Sequence, residues 1–166
     1  VAGRKLVVRN PDGSTDAIEY DELVVGTGAV PVEPPIEGLG GPAGLGVKDG
    51  VHLLHSMGDT FALTDSLDRI QPKTALIVGA GYVGLEMAEG LTMRGVQVTQ
   101  VEMLPEVLPT VEIELGALVH DELVKHGVNV HTSTVVTKVS RTDGGLHVDG
   151  KTTDGETLAW DVDLVL

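Results

Sequence analysis

Residues 79–84 read Gly-Ala-Gly-Tyr-Val-Gly, and Glu102 follows 102 − 79 = 23 residues after the first of these glycines. Three glycines in a GxGxxG spacing can bring backbone N–H groups up to a charged phosphate. Gly79 permits a tight turn from strand to helix. Gly81 has no Cβ, so a pyrophosphate can approach the chain closely, and Gly84 lets the helix pack on the strand. The unpaired N–H groups of the helix's first turn and the positive end of its dipole then face the phosphate charge. An acid about 20 residues further on can accept hydrogen bonds from both hydroxyls of an adenosine ribose. The bland alternative is a glycine turn used only for packing.

This chemistry requires a strand before the turn, a helix after it, and a second strand ending in the acid. The sequence supplies all three. Residues 74–78 (TALIV) predict a strand and 81–94 a helix, with Val83, Met87, Ala88 and Leu91 on one side. Residues 97–102 (QVTQVE) predict the next strand. Residues 111–126 predict a second helix, stopped by Gly127 in a C-cap position, and 128–131 (VNVH) a third strand. The βαβαβ order implies a parallel sheet.

Upstream, 4–9 and 16–20 flank the turn NPDG and predict a hairpin. Residues 22–25 (ELVV) predict a short buried strand, and the Pro- and Gly-rich 30–50 a loop. Val51–Leu54 is a further candidate strand. Residues 58–70 predict a helix that places Phe61, Leu63, Leu67 and Ile70 at helical spacing. Downstream, 134–141, 145–151 and 156–160 predict an antiparallel meander, and 162–166 one more buried strand.

The bulk composition bounds the function. A length of 166 residues supports a real core. Aromatic residues make up only 2%, so that core must be aliphatic. A formal charge of −14 disfavours nucleic acid and anionic membrane surfaces. The absence of cysteine excludes a disulfide or a redox-active Cys pair within these residues. No apolar run is long enough for a transmembrane helix, and no signal-peptide pattern follows Val1. A cytoplasmic location is the corresponding expectation. The ends look cut, since DVDLVL stops on a strand signal.

Other constellations are weaker. His52 and His55 form an HxxH spacing, but with neither a nearby Cys nor a clear helix no metal site is expected. His120, His126 and the acids Glu112, Glu114, Asp121 and Glu122 read as solvated helix positions. No GxSxG elbow or GxxxxGK[ST] loop occurs. The segment after Glu102, MLPEVLP, holds no Arg or Lys and carries a further acid, Glu106. A 2′-phosphate beside a carboxylate would be repelled there, which favours NAD(H) over NADP(H).

Residues 20–38, YDELVVGTGAVPVEPPIEG, resemble the second flavin-contact motif of the FAD-dependent pyridine nucleotide–disulfide oxidoreductase superfamily, matching at Thr27, Gly28, Ala29 and Pro31. The order from flavin strand through crossing loop and dinucleotide domain to meander covers nearly the whole chain. Within the superfamily, residues 101–130 look most like the coenzyme A-disulfide reductase and NADH oxidase group. Dihydrolipoamide dehydrogenase and the flavin-dependent ferredoxin reductases are close rivals.

The resemblance implies an FAD/NAD(P)-binding Rossmann-like three-layer α/β fold, with helices on one face of a parallel sheet and a β-meander on the other. It divides the chain into partial FAD-domain strands and crossing loop (1–50) and an NAD(H)-binding domain (51–166). It assigns Gly79, Ala80, Gly81, Val83 and Gly84 to the NAD pyrophosphate turn, and Glu102 and Met103 to the adenosine end. Glu86 resembles a family glutamate near the nicotinamide, or is a helix-surface acid. Tyr82 resembles an aromatic covering the nicotinamide pocket, or is a packing residue.

The family's first FAD motif, its redox cysteine, its later Gly-Asp flavin motif and its dimerisation domain are not in this sequence. The expectation is therefore a fragment that binds nucleotide without turning over substrate. Its homodimeric parent would bind FAD and pass hydride from NADH to flavin, and on to a disulfide, oxygen or a carrier. A complete flavin-free dehydrogenase would need a catalytic Tyr/Lys or His, and none is found. A stand-alone nucleotide-sensing module is the other rival.

Overall fold

The turn at Asn10–Ser14 folds the N-terminal segment back on itself. Gly13 takes a left-handed φ of +87°, and Asp12 accepts the Ser14 amide hydrogen at 2.9 Å. The flanking strands β1 (Lys5–Arg9) and β2 (Thr15–Glu19) pair antiparallel, with Val7 opposite Ala17. The computed structural model describes residues 3–166. They form two compact units, one ending at Val30 and the other running Pro31–Leu166.

The expected strand at 22–25 does not form. Val24 is 91% exposed, in irregular chain. An apolar strand is stable only when a neighbour takes its hydrogen bonds and another layer covers its side chains. Among the described residues, sheet pairing in this region involves only β1 and β2.

In the larger unit, residues 31–56 are largely irregular. A 3-10 turn lies at Val47–Asp49, and Val51 makes an isolated bridge to Val165, so the candidate strand at 51–54 is reduced to that one bridge. Helix α1 (Met57–Ile70) starts on a capping box. Ser56 Oγ accepts the Asp59 amide hydrogen at 3.3 Å, and Asp59 Oδ2 accepts that of Ser56 at 2.7 Å. Leu63 is buried, Leu67 and Ile70 pack against the core, and Phe61 points to solvent instead.

The alternation that follows is strand β3 (Thr74–Val78), helix α2 (Tyr82–Met93), strand β4 (Gln97–Val101), helix α3 (Ile113–Lys125) and strand β5 (Asn129–His131). The meander is β6 (Thr134–Thr142), β7 (Gly145–Thr152) and β8 (Thr157–Val162), and β9 (Leu164–Val165) closes the chain. The parallel sheet has the order β5-β4-β3-β9, and the meander is a separate antiparallel sheet, β6-β7-β8.

Side-chain parity separates the two faces of the parallel sheet. Ala75, Ile77, Val98 and Leu164 pack with Leu63, Ala88 and Leu91 from the helices. Leu76, Val101 and Val165 pack with Val136, Val139, Leu146, Val148 and Val162 from the meander. This is the expected three-layer arrangement. Covering on both faces explains why β3 is a continuous apolar run rather than an alternating one. On α2, Ala88 and Leu91 are buried and Met87 partly so, whereas Val83 is 58% exposed. Val83 lies in the first turn, beyond the strip that the sheet covers.

Candidate functional site

The parallel register sets the C-terminal ends of β3 and β4 side by side, with Val78 opposite Val101. In open parallel sheets that edge is where ligands bind. The chain leaves β3 through Gly79, whose φ of +100° is left-handed, and enters α2 through Gly81 as N-cap. The first helical bond runs from the Leu85 amide to the Gly81 carbonyl at 3.0 Å. The amides of Tyr82 and Val83 therefore belong to the helix end that has no intrahelical acceptors.

The glycines differ in what a side chain would meet. A Cβ on Gly84 would lie 2.2 Å from the Gly79 carbonyl oxygen and 3.0 Å from Gln100 Nε2, so close packing requires glycine. A Cβ on Gly81 would meet nothing within 4 Å. Gly81 is thus not needed by the fold, and the space over it is open to a ligand. This is the observation that fits a phosphate-bearing group at the turn.

Glu102 is 5% exposed and bonded at both oxygens. Oε2 accepts the Ala80 amide hydrogen at 2.7 Å, and Oε1 that of Leu104 at 2.9 Å. The expected ribose acceptor therefore also holds the glycine turn. A carboxylate offers about four lone-pair sites, so acceptor capacity remains for hydroxyls. Met103 beside it is 62% exposed. Tyr82 is 63% exposed, and Glu86, one turn on, is exposed on the same side of α2. Tyr82 is thus not a packing residue within this chain.

Several positions carry the site without having been singled out by sequence. Gln100, fully buried on β4, donates from Nε2 to the Gly79 carbonyl at 3.1 Å. The Leu108 amide donates to the Ala80 carbonyl at 2.8 Å, which ties the 103–112 loop to the turn. That loop is tied in turn to α3. Glu106 Oε1 and His120 Nδ1 lie 2.7 Å apart, and a Cβ on Gly116 would fall 2.6 Å from the Val107 carbonyl oxygen. His120 is therefore partly buried and paired rather than solvated. His126 is exposed, with Nδ1 2.9 Å from the Glu122 carbonyl, and Glu112, Glu114, Asp121 and Glu122 are exposed as expected. A polar residue at an inward-facing position of a central strand was the available signal for Gln100. Nothing local in the sequence announced the other links.

His52 is 2% exposed and His55 is exposed, so the pair does not converge on one site. Among the described residues no group of three or more His, Cys, Asp or Glu could hold a metal ion. No described helix is long and apolar enough to cross a membrane. Thr27, Gly28 and Ala29 lie in the smaller unit and Pro31 begins the larger one. All four are exposed in irregular chain.

Fold and turn together define an FAD/NAD(P)-binding Rossmann-like domain. Its relatives agree. The sequence model for pyridine nucleotide-disulphide oxidoreductases matches residues 1–166, and the chain belongs to that family. It is 35% identical over 165 residues to an NADH oxidase of Methanocaldococcus jannaschii, covering 98% of this chain and 34% of the relative. It is 31% identical over 144 residues to the rubredoxin-NAD(+) reductase of Acinetobacter baylyi, covering 86% and 35%. A solved NAD-dependent persulfide reductase from A. fulgidus superposes with a TM-score of 0.73 at 32% identity, covering 98% of this chain and 28% of that one. The chain spans about a third of the length of these curated relatives.

Proposed function

We propose that this chain is the NAD(H)-binding portion of an FAD-dependent oxidoreductase whose nicotinamide cofactor delivers hydride to the flavin, from which electrons pass to a disulfide, oxygen or a carrier. The observation that carries the reading is the Gly81 backbone, open above and set at the end of β3, with Gly84 closed against Gly79 behind it. In this reading the turn from Gly79 to Gly84 cradles the pyrophosphate on backbone amides. Glu102 and Met103 line the adenosine end. Tyr82 and Glu86, exposed along α2, face the nicotinamide end. The division into flavin-domain strands at 1–50, with Thr27, Gly28, Ala29 and Pro31 contacting FAD in the parent, and an NAD(H)-binding part at 51–166, belongs to the same proposal. So does a homodimeric parent completed by further FAD-domain and dimerisation segments.

NAD(H) is favoured over NADP(H) on electrostatic grounds. Glu102 stands where a 2′-phosphate would approach, and residues 103–112 hold no Lys or Arg. Calorimetric titration of the chain with NADH and then NADPH, at equal low salt, tests this. The expected result is NADPH binding weaker by about tenfold or more, roughly 1.4 kcal/mol. Equal or tighter NADPH binding would overturn the preference. Binding of neither would overturn the assignment of the nucleotide site to this chain alone.

A further inference from the structure

The peptide group that joins Gly79 to Ala80 is held at both of its polar ends by one strand. Its carbonyl accepts from Gln100 Nε2 at 3.1 Å, and its N–H donates to Glu102 Oε2 at 2.7 Å. Gln100 and Glu102 are two residues apart on β4 and the exit from it, and so point to the same face. A trans peptide is planar, so fixing its oxygen and its nitrogen fixes its orientation. That plane decides where the chain goes next, and hence where the amides beyond Gly81 point.

Packing does not account for Gln100. Its neighbour on the same face, Val98, is apolar and buried, and the surrounding cluster is aliphatic. Its side-chain oxygen Oε1 is buried and without a hydrogen-bond partner among the described residues. An apolar side chain of the same shape would fill the site without that desolvation cost. Its Nε2 also lies 3.0 Å from the position of a Cβ on Gly84, so Gly79, Gly84 and Gln100 form one close-packed stack.

We infer that Gln100 is a positioning residue for the nucleotide turn, holding the Gly79 carbonyl so that the amides at the start of α2 face the phosphates. The inference rests on the nucleotide-binding reading above, since it assigns Gln100 to the same turn. A residue retained at a cost to the core for the sake of a site is the pattern expected where folding and function compete.

The experiment is Gln100→Met, which keeps the volume and removes the amide, with Gln100→Leu as the second variant. Each is compared with the unmodified chain in urea stability, in NADH affinity, and in hydrogen exchange at the Ala80 and Gly81 amides without nucleotide. The expected result is little change in stability, because relief of the unpartnered Oε1 offsets the lost Gly79 contact, with NADH binding weakened roughly three- to tenfold and faster exchange at the turn. Lower stability with wild-type affinity and wild-type exchange would overturn the inference and make Gln100 a packing residue. If the unmodified chain binds no NADH, the assignment of the nucleotide site to this chain alone fails, while the exchange rates still decide whether Gln100 orders the turn.

Discussion

Glu102 accepts the Ala80 amide hydrogen at 2.7 Å, so the acid at the end of β4 is wired into the glycine turn that it faces. Its role is double. In the proposed reading it would offer acceptor capacity to an adenosine ribose, and it satisfies the buried Ala80 N–H that the fold would otherwise orphan. Glu102→Ala therefore weakens NADH binding and also destabilises the chain, by about 1–3 kcal/mol for the unsatisfied amide. Denaturant unfolding alongside NADH titration checks both. A variant with native stability and lost binding would mean that the Ala80 contact contributes nothing to the fold.

Gly81 and Gly84 are predicted to part company when each is changed to alanine. At Gly84 the new Cβ would stand 2.2 Å from the Gly79 carbonyl oxygen, and that backbone cannot retreat without opening the turn. A loss of about 1–3 kcal/mol is expected, with lost binding. At Gly81 the φ of −79° suits alanine, and a Cβ meets nothing within 4 Å. Gly81→Ala should keep its stability within about 0.5 kcal/mol and yet bind NADH more weakly, because the methyl occupies the space that a phosphate needs. Thermal melts and calorimetry separate the two. Wild-type affinity in Gly81→Ala would place the pyrophosphate elsewhere.

The Glu106–His120 contact carries the loop between β4 and α3. The pair lies 2.7 Å apart and partly buried, and the loop it anchors reaches the turn through the Leu108 amide. A double-mutant cycle of Glu106→Gln and His120→Ala in urea unfolding should give a coupling energy of about 0.5–1.5 kcal/mol. His120→Ala should also weaken NADH binding roughly two- to fivefold, by loosening the loop beside the proposed adenosine end. Strict additivity would make the contact incidental.

What the sequence conveyed and what it concealed divide along a physical line. The β3–α2–β4–α3–β5 alternation was legible because a short apolar run such as β3 suits a strand covered on both faces and helical spacing suits a segment covered on one, and the meander because its turns carry glycine and aspartate. The segment at Leu23–Val25 misled because apolar composition signals burial but cannot say which partner supplies it. Phe61 and Val83 misled similarly, since helical spacing identifies a face without fixing how far the covering sheet extends. At the candidate site, the strand-to-helix turn at the glycines and the place of Glu102 beyond β4 were readable from spacing. Gln100 and the Leu108 amide were not, because their roles depend on which backbone groups the turn leaves to be held. The pairing of His120 with Glu106 depends on how a loop returns across α3, which no local pattern encodes.

Acid should destabilise the chain through buried His52 and half-buried His131. Burial holds His52 below the ordinary histidine value of 6.5, with the positive Arg69 acting in the same direction and Asp59 opposing. Burial also lowers His131, which packs edge-on against Trp160 with ring centroids 5.3 Å apart. Below 6.5 the unfolded chain protonates these groups while the folded chain resists. The unfolded state then binds more protons, and stability falls as pH drops through that window. The contribution of His52 and His131 is complete above 6.5. His147 works oppositely: its hydrogen bond with Asp161 raises its pKa, so its contribution is present below 6.5 and lost as pH rises through the folded value. His147 is solvent-screened, so buried His52 and half-buried His131 should dominate. Urea unfolding at about pH 7.5 and about pH 5.5 should show lower stability at the acid end, and His52→Leu should reduce that difference. An unaltered difference in His52→Leu would remove His52 from the account and leave His131, whose protonation Trp160 fluorescence would report.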